Sequence, residues 1–402
     1  MKPFFYSTER GQALILIALA AVGLFAIVGL AVDGTAKLSD RRHAQNAADA
    51  AALAGSLANI RGNSLWKLEA LDRALENGYN DNLVSNNVEV YSCDEAGSSC
   101  GPYDDDPEYI QVIITSNVNT YFARVLGINR MRNTVEAIAM SQQEYIGELY
   151  GGASIIGLAP DQCKTIYFSG SAEVNVTGGG VFSNSNKDCG VNIQGAKGLD
   201  IGIDGSIDMV AGSYTKTGNP DVSGVTGGFN GGADQYDYPP PAAMLPKYTC
   251  TWTYASFPPS GVTTLSAGTY CVTGDFKLNA KDKLSGTGVT IVMLSGEIDW
   301  NGGAQINLSA PTSGDLAGML IYAPLSNTNK MKFNGNAGTT LTGTIFMPGA
   351  PLVYNGTGNL NPSHVQIIGY TVELGGSNNT NVIYQDGDNW DSSMPAQIGL
   401  IR

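Results

Sequence analysis

The sequence predicts a mostly β protein with an N-terminal transmembrane α-helix, and three observations carry that prediction. From Ala13 to Val32 run twenty residues with no charge and no strong polar group. From about Ser154 onward, short β-prone runs alternate with glycine, asparagine and serine, and Gly reaches 51 of the 402 residues. Between these regions a helical period gives way to strand-like alternation. The expected architecture is therefore an anchor helix, a small α+β membrane-proximal domain over 61–145, and a parallel β-helix (β-solenoid) domain over 146–402.

The apolar run comes first in the chain. At about 1.5 Å per residue, twenty helical residues cover roughly 30 Å, the thickness of a bilayer hydrocarbon core. Secretory signal cores are shorter, about 7 to 15 residues, and no convincing A-x-A cleavage site follows this one. A retained transmembrane helix over 13–32 is expected, preceded by a cytoplasmic tail over 1–12. Lys2 and Arg10 lie before the span while Lys37, Arg41 and Arg42 lie after it, so the positive-inside rule does not decide orientation.

Cysteines offer a second argument. All six, Cys93, Cys100, Cys163, Cys189, Cys250 and Cys271, follow the helix. An even number suits disulfides formed in an oxidising compartment, which puts the C-terminal bulk outside the cytoplasmic membrane. Sequential pairing closes modest loops, and other connectivities remain open. Zinc is the competing use, but there is no CxxC pair, and His43 and His364 are the sole histidines.

Past the membrane a helical pattern continues over 33–60, rich in alanine and free of proline. Small residues recur every fourth position at Ala44, Ala48 and Ala52, and again at Ala47, Ala51 and Gly55. Such stripes let a helix or sheet approach closely, either within the chain or on a partner.

Here the residues resemble a known family. Glu9-Arg10-Gly11-Gln12-Ala13, the apolar span, Val32-Asp33-Gly34, Arg41-Arg42 and the run from Gln45 to Gly55 together resemble the TadE/TadG-like proteins of Flp (tight adherence) pilus assembly. The resemblance covers roughly the first 60 residues. It implies a single-span membrane protein with a structural or assembly role among other pilus-assembly or pilin-like proteins. Glu9 precedes Gly11, and nothing acidic lies between Gln12 and Val32, which departs from the prepilin pattern and implies an uncleaved anchor.

Gly62-Asn63-Ser64 reads as a helix break, and Leu65, Leu68, Leu71, Ala74 and Leu75 then recur at helical spacing as far as Tyr79. Strands are expected at Asn86–Ser92, Tyr109–Asn117 and around Arg132–Ser141, with a helix over Val118–Gly127. The stretch from Thr120 to Ala139 again resembles TadG-like proteins. The loop holding Asp104, Asp105 and Asp106 lacks EF-hand spacing and reads as solvated.

Beyond Ser154, repeated runs such as AEVNVTGGGVFSNS and GEIDWNGGAQINLSA suggest stacked coils with glycine or asparagine at tight corners. A β-sandwich is the alternative. The stretch 218–259 interrupts the rhythm and reads as an inserted loop covering the open side of the stack. Its aromatics, Tyr236, Tyr238 and Trp252 among them, could stack on sugar rings, making a cell-surface glycan a candidate ligand.

Composition limits the other functions. Charged residues make up 14% of the chain with a net charge of −14, which disfavours nucleic-acid binding. Between Asn133 and Ile401 there are ten lysines and no arginine, so bidentate carboxylate or phosphate clamps are missing there. Asp200, Asp204 and Asp208 are interrupted by Gly202 and Gly205. A serine nucleophile acting with His364 lacks a GxSxG elbow. Gly178-Gly179-Gly180 and Gly227-Gly228 lack a phosphate-loop continuation and read as turns. The expectation is a structural protein with no catalytic residues, no metal and no cofactor; the alternatives are a carbohydrate-binding adhesin or a tethered polysaccharide-active enzyme.

Overall fold

The computed structural model describes residues 10–82, 84–195, 199–334, 339–355, 363–376 and 379–401. Lys2, Glu9 and most of the expected cytoplasmic tail lie outside them. The chain forms two compact units, one running to Tyr145 and including Pro395–Arg402, the other Ile146–Met394.

In the first unit, helix α1 (Arg10–Ile60) is continuous over 51 residues, so the apolar run and the alanine-rich run belong to one rod. It contains no proline to break it. Gly62 ends it with φ +74°: its N–H donates to Asn59 O and that of Asn63 to Ala58 O, the paired bonds of a Schellman cap. Asn63 Oδ1 then accepts from the Leu65 N–H at 2.9 Å, just before helix α2 (Trp66–Glu76).

Three antiparallel strands follow, β1 (Asn86–Ser92), β2 (Tyr109–Asn119) and β3 (Arg130–Gln142). The C-terminal strand Gln397–Leu400 pairs antiparallel with the free edge of β3. This corrects the expectation that the chain's last residues belong to the larger domain. The sheet buries Val88, Val112, Ile114, Val135, Ala137 and Ala139 under α1 and α2.

The helix expected over Val118–Gly127 is a second correction. Pairing of Asn119 with Arg130 carries β2 past Val118, leaving a single 3-10 turn at Ala123–Leu126, which Gly127 ends at φ +84°. The apolar spacing there serves another purpose, considered below.

The second unit is a large parallel sheet arrangement. Most of its strands pair in parallel with the strand three places further along, so the strands fall into three ladders. The first runs through Trp252–Tyr254, Gly268–Val272, Val289–Met293, Met319–Tyr322, residues 344–347, residues 366–369, Ile155–Gly157, Val181–Ser183, Ile207–Met209 and Phe229–Gly231. The other two pass through Phe276–Leu278 and Lys283–Thr287 at one end and finish at Thr215–Gly218 and Asp221–Val225 at the other.

Chain order and stacking order therefore differ. The chain enters the stack at its middle, at Ile155, and winds outward to Phe229–Gly231. It restarts at the opposite end with Trp252 and winds back until Ile367 pairs with Ile155. Inward side chains of all three ladders form one core, within which Phe257, Phe276, Trp300 and Phe333 make an aromatic column with ring centroids 4.8, 5.1 and 4.9 Å apart. That spacing matches the distance between neighbouring strands, about 4.8 Å.

The inserted loop expected over 218–259 is narrower than read. Residues 221–225 and 229–231 are ladder strands, and the first ladder resumes at Trp252, so only the segment between Gly231 and Trp252 crosses the stack. The three disulfides are Cys93–Cys100, Cys163–Cys189 and Cys250–Cys271, the sequential pairing.

Candidate functional site

The features with functional potential are the long helix with what grips it, and the surface of the parallel stack. Along α1, side chains from Leu14 to Val32 are almost all exposed, Leu30 to 77%. This helix is long and apolar enough to cross a membrane.

Past Val32 the same helix is gripped by its own unit. Asp33 is only 3% exposed, and its carboxylate accepts the backbone N–H groups of Tyr121, Phe122 and Ala123 at 2.8, 3.0 and 2.7 Å. Two turns on, Asp40 accepts from Asn133 Nδ2 at 2.7 Å and from the Ser116 hydroxyl, while Tyr79 Oη donates to it at 3.1 Å. Burial, with the Asp40 carboxylate alongside, pushes the Tyr79 phenol well above its ordinary pKa.

Ala44, Ala47, Ala48, Ala51 and Ala52 come next, all fully buried, and Gly55 is buried beside Ala70 of α2. Alanine's small side chain lets the helix lie close on the sheet. At these six residues the stripe is occupied within the chain and offers no free surface to a copy. Asn59 completes the grip, donating to Ser141 Oγ at 2.9 Å.

Sequence reasoning named the alanines, quoted Asp33 only as part of the family resemblance, and gave neither Asp33 nor Asp40 a role in packing. The signal was present: 33, 40, 44, 47 and 51 share one helix face, and an acid on a face otherwise made of alanines needs partners.

On the parallel stack, the segment crossing from one end to the other lies over the outer face of the first ladder. Tyr238, Met244, Leu245 and Tyr248 join Ile156, Phe182, Val292, Tyr322, Phe346 and Ile368 in a second apolar cluster. Tyr236 meets Tyr150 and Phe182 edge-on at 4.9 Å each, and Asn184 Oδ1 accepts its backbone N–H. Tyr238 is tilted on Tyr370 and donates its hydroxyl to Pro348 O at 3.2 Å. Trp252 instead packs on Tyr270 at 4.7 Å, at the end of the ladder. Seven rungs separate the strand of Trp252 from that of Phe182, about 34 Å at 4.8 Å per rung. Trp252 and Tyr236 therefore do not form one platform.

The remaining sequence features are distributed as turns and local bonds. Asp200 lies on the strand Asp200–Ile203 and Asp208 on Ile207–Met209, where it accepts from Ser206 and Asn230. Asp106 accepts the Glu108 N–H within its loop. Gly178 and Gly180 have φ of +92° and +69°, and a Cβ at Gly178 would reach 2.3 Å from Tyr384 O, so they serve as corners. His364 Nδ1 lies 3.2 Å from Asp388. Among the described residues, no group of three His, Cys, Asp or Glu is placed to hold a metal ion.

Glu148, Asp386 and Asp391 gather where the chain enters and leaves the second unit, on the paired strands Tyr145–Glu148 and Asp391–Met394 and the turn before them. Desolvation raises the pKa of Glu148, with the charges of Asp386 and Asp391 adding to it. Asp391 is raised by desolvation and then by Asp386.

Comparison with known proteins places one segment. Residues 11–59 match the family described as "Putative Flp pilus-assembly TadE/G-like". No curated protein and no solved structure matches the chain. The matched residues run along α1 from the start of the apolar rod to the end of its alanine face.

Proposed function

We propose that this protein is a membrane-anchored, extracytoplasmic structural component of a Flp/Tad-type pilus-assembly system, with its N-terminus in the cytoplasm. The observation carrying this reading is the matched segment itself. It is one uninterrupted helix, an exposed apolar rod in its first half and a core element of a folded unit in its second. Such a helix ties a folded body to a bilayer with no flexible linker between them.

Three disulfides support the outward orientation, because such bonds persist in oxidising compartments. For the second unit we favour a β-solenoid, on the strength of parallel pairing at a spacing of three strands and a single continuous core. In this reading the solenoid is a rigid surface offered to pilin-like or assembly proteins, and no catalytic step is involved. The adhesin alternative wants one aromatic platform for a glycan, and the distance between Trp252 and Tyr236 works against it.

Protease treatment of a C-terminal tag in intact and opened cells, with membrane fractionation, tests the topology. The expected result is a membrane-retained protein whose tag is digested once the outer envelope is breached while the inner membrane stays sealed. A tag protected until the inner membrane is lysed would overturn the orientation, and failure to co-purify with any pilus-assembly protein would overturn the role.

A further inference from the structure

The loop from Tyr121 to Ile128 presents an apolar surface that the first unit does not use. Tyr121, Val125, Leu126 and Ile128 are 74, 89, 81 and 49% exposed, in a turn between two strands where polar residues are usual. The loop is nevertheless fixed. Asp33, the first residue beyond the apolar rod, holds three of its N–H groups, and Phe122 reaches back along α1 to Gly29. A Cβ at Gly29 would come within 2.6 Å of Phe122 Cβ, so the glycine is what admits the ring. Gly29 lies four residues inside the rod, about 6 Å along the helix axis.

We propose that the 121–128 loop is a second membrane-contacting element, its Phe122, Val125, Leu126 and Ile128 side chains embedded in the leaflet, on the Asp33 side, of the bilayer that α1 crosses. The proposal rests on the reading of Ala13–Val32 as a membrane span. Continuity with that span identifies the occupant: a surface held against the rod one turn below its end meets lipid wherever the rod does.

The loop's backbone fits that environment. Irregular backbone is costly in hydrocarbon because its polar groups lack partners. In this loop the N–H groups of Val125, Gly127 and Ile128 bond to Phe122, Arg124 and Ala123 carbonyls, and Asp33 satisfies those of Tyr121, Phe122 and Ala123. The edges fit too. Arg124, Arg130 and Arg132 are exposed on the loop and its following strand, suited to lipid phosphates, and Tyr121 suits the interfacial aromatic belt.

The test uses the full-length protein in phosphatidylcholine–phosphatidylglycerol vesicles with doxyl-labelled acyl chains. Among the described residues no cysteine is free, so a single added thiol takes an NBD probe, at Val125→Cys, at Leu126→Cys as a second variant, or at Ile27→Cys within the rod. The expected result is loss of NBD emission to the acyl-chain quencher at 125 and 126 as well as at 27, with little loss to aqueous iodide. Quenching by lipid at 27 but by iodide at 125 and 126 would overturn the loop proposal and leave the span intact. Iodide quenching at all three positions would overturn the span, and the loop proposal with it.

Discussion

At the residue scale, the chain's two most consequential polar groups are acids on an otherwise apolar helix face. Asp33 stands where the exposed rod ends and binds three consecutive amides, an arrangement in which a charged acceptor strengthens each bond. In Asp33→Ala these amides lose their acceptor, so hydrogen exchange at Tyr121 to Ala123 is expected to accelerate on the order of tenfold or more, with Asp33→Asn intermediate. Unchanged exchange in the alanine variant would mean that the Asp33 bonds do not set the loop's protection. The alanines make the complementary case. Ala48 is fully buried between the helix and its sheet, so Ala48→Leu is expected to cost about 1 to 3 kcal/mol through overpacking, read as a lower urea midpoint for exchange of β2 and β3 amides. The alanine stripe was legible because small residues at a spacing of four have few other uses. The partners that Asp33 and Asp40 find were not, because they lie 39 to 93 residues away, at Tyr79, on β2 and β3 and in the loop between those strands.

At the scale of elements, sequence periodicity succeeded where the pattern and the packing agree. The strand Asn86–Ser92 emerged with its expected bounds and α2 close to its expected place, since each buries one face against a nearby neighbour. Val118–Gly127 failed because its apolar residues carry a helix-like spacing without facing the unit's core; strand pairing fixed the backbone instead. The crossing segment was recognised as foreign to the repeat, but Asp221–Val225 and Phe229–Gly231 are short and largely exposed, and so read as part of the loop. The paired strands Tyr145–Glu148 and Asp391–Met394 carry a pH dependence. Glu148 and Asp391 have folded pKa values above their ordinary ones, so their contribution favours the fold below the ordinary carboxylate range and fades as pH rises through the folded values. Amides of these strands should gain protection, after correction for intrinsic exchange, between neutral pH and about pH 4.5, and Glu148→Gln should flatten the change. Solvent screens the exposed Glu148, so the effect is expected to be small. A gain in protection on raising the pH would reverse the assignment.

At the scale of the whole molecule, the order in which the chain fills its parallel stack decides how that stack holds together. Residues 155–231 build one part outward from the middle, and residues 252–355 build the other inward from the far end. Two ladders become continuous only when the rung at 366–376 pairs on one side with 344–355 and on the other with 155–157 and 166–170, and the third when 364–365 pairs with 342–343 and Thr380–Ile383 with Val174–Thr177. No local pattern could reveal this, because the joining contact pairs Ile155 with Ile367 across most of the chain. The consequence is a keystone, and it separates two variants of similar chemistry. Ile367 is fully buried in the joining rung, so Ile367→Asp places an unpaired charge in the core and is expected to cost more than about 4 kcal/mol. Both parts should then lose amide protection together, since each depends on that rung. Val222 lies in the terminal rung, on a strand that pairs, among the described residues, with Asp200–Ile203. Val222→Asp should therefore release the amides of 215–231 and leave the rest protected, as a frayed end does. If residues 268–293 keep their protection in Ile367→Asp, the two parts are independent folding units, and the crossing segment over the first ladder, with Tyr238, Met244 and Leu245 packed against it, is what holds them together.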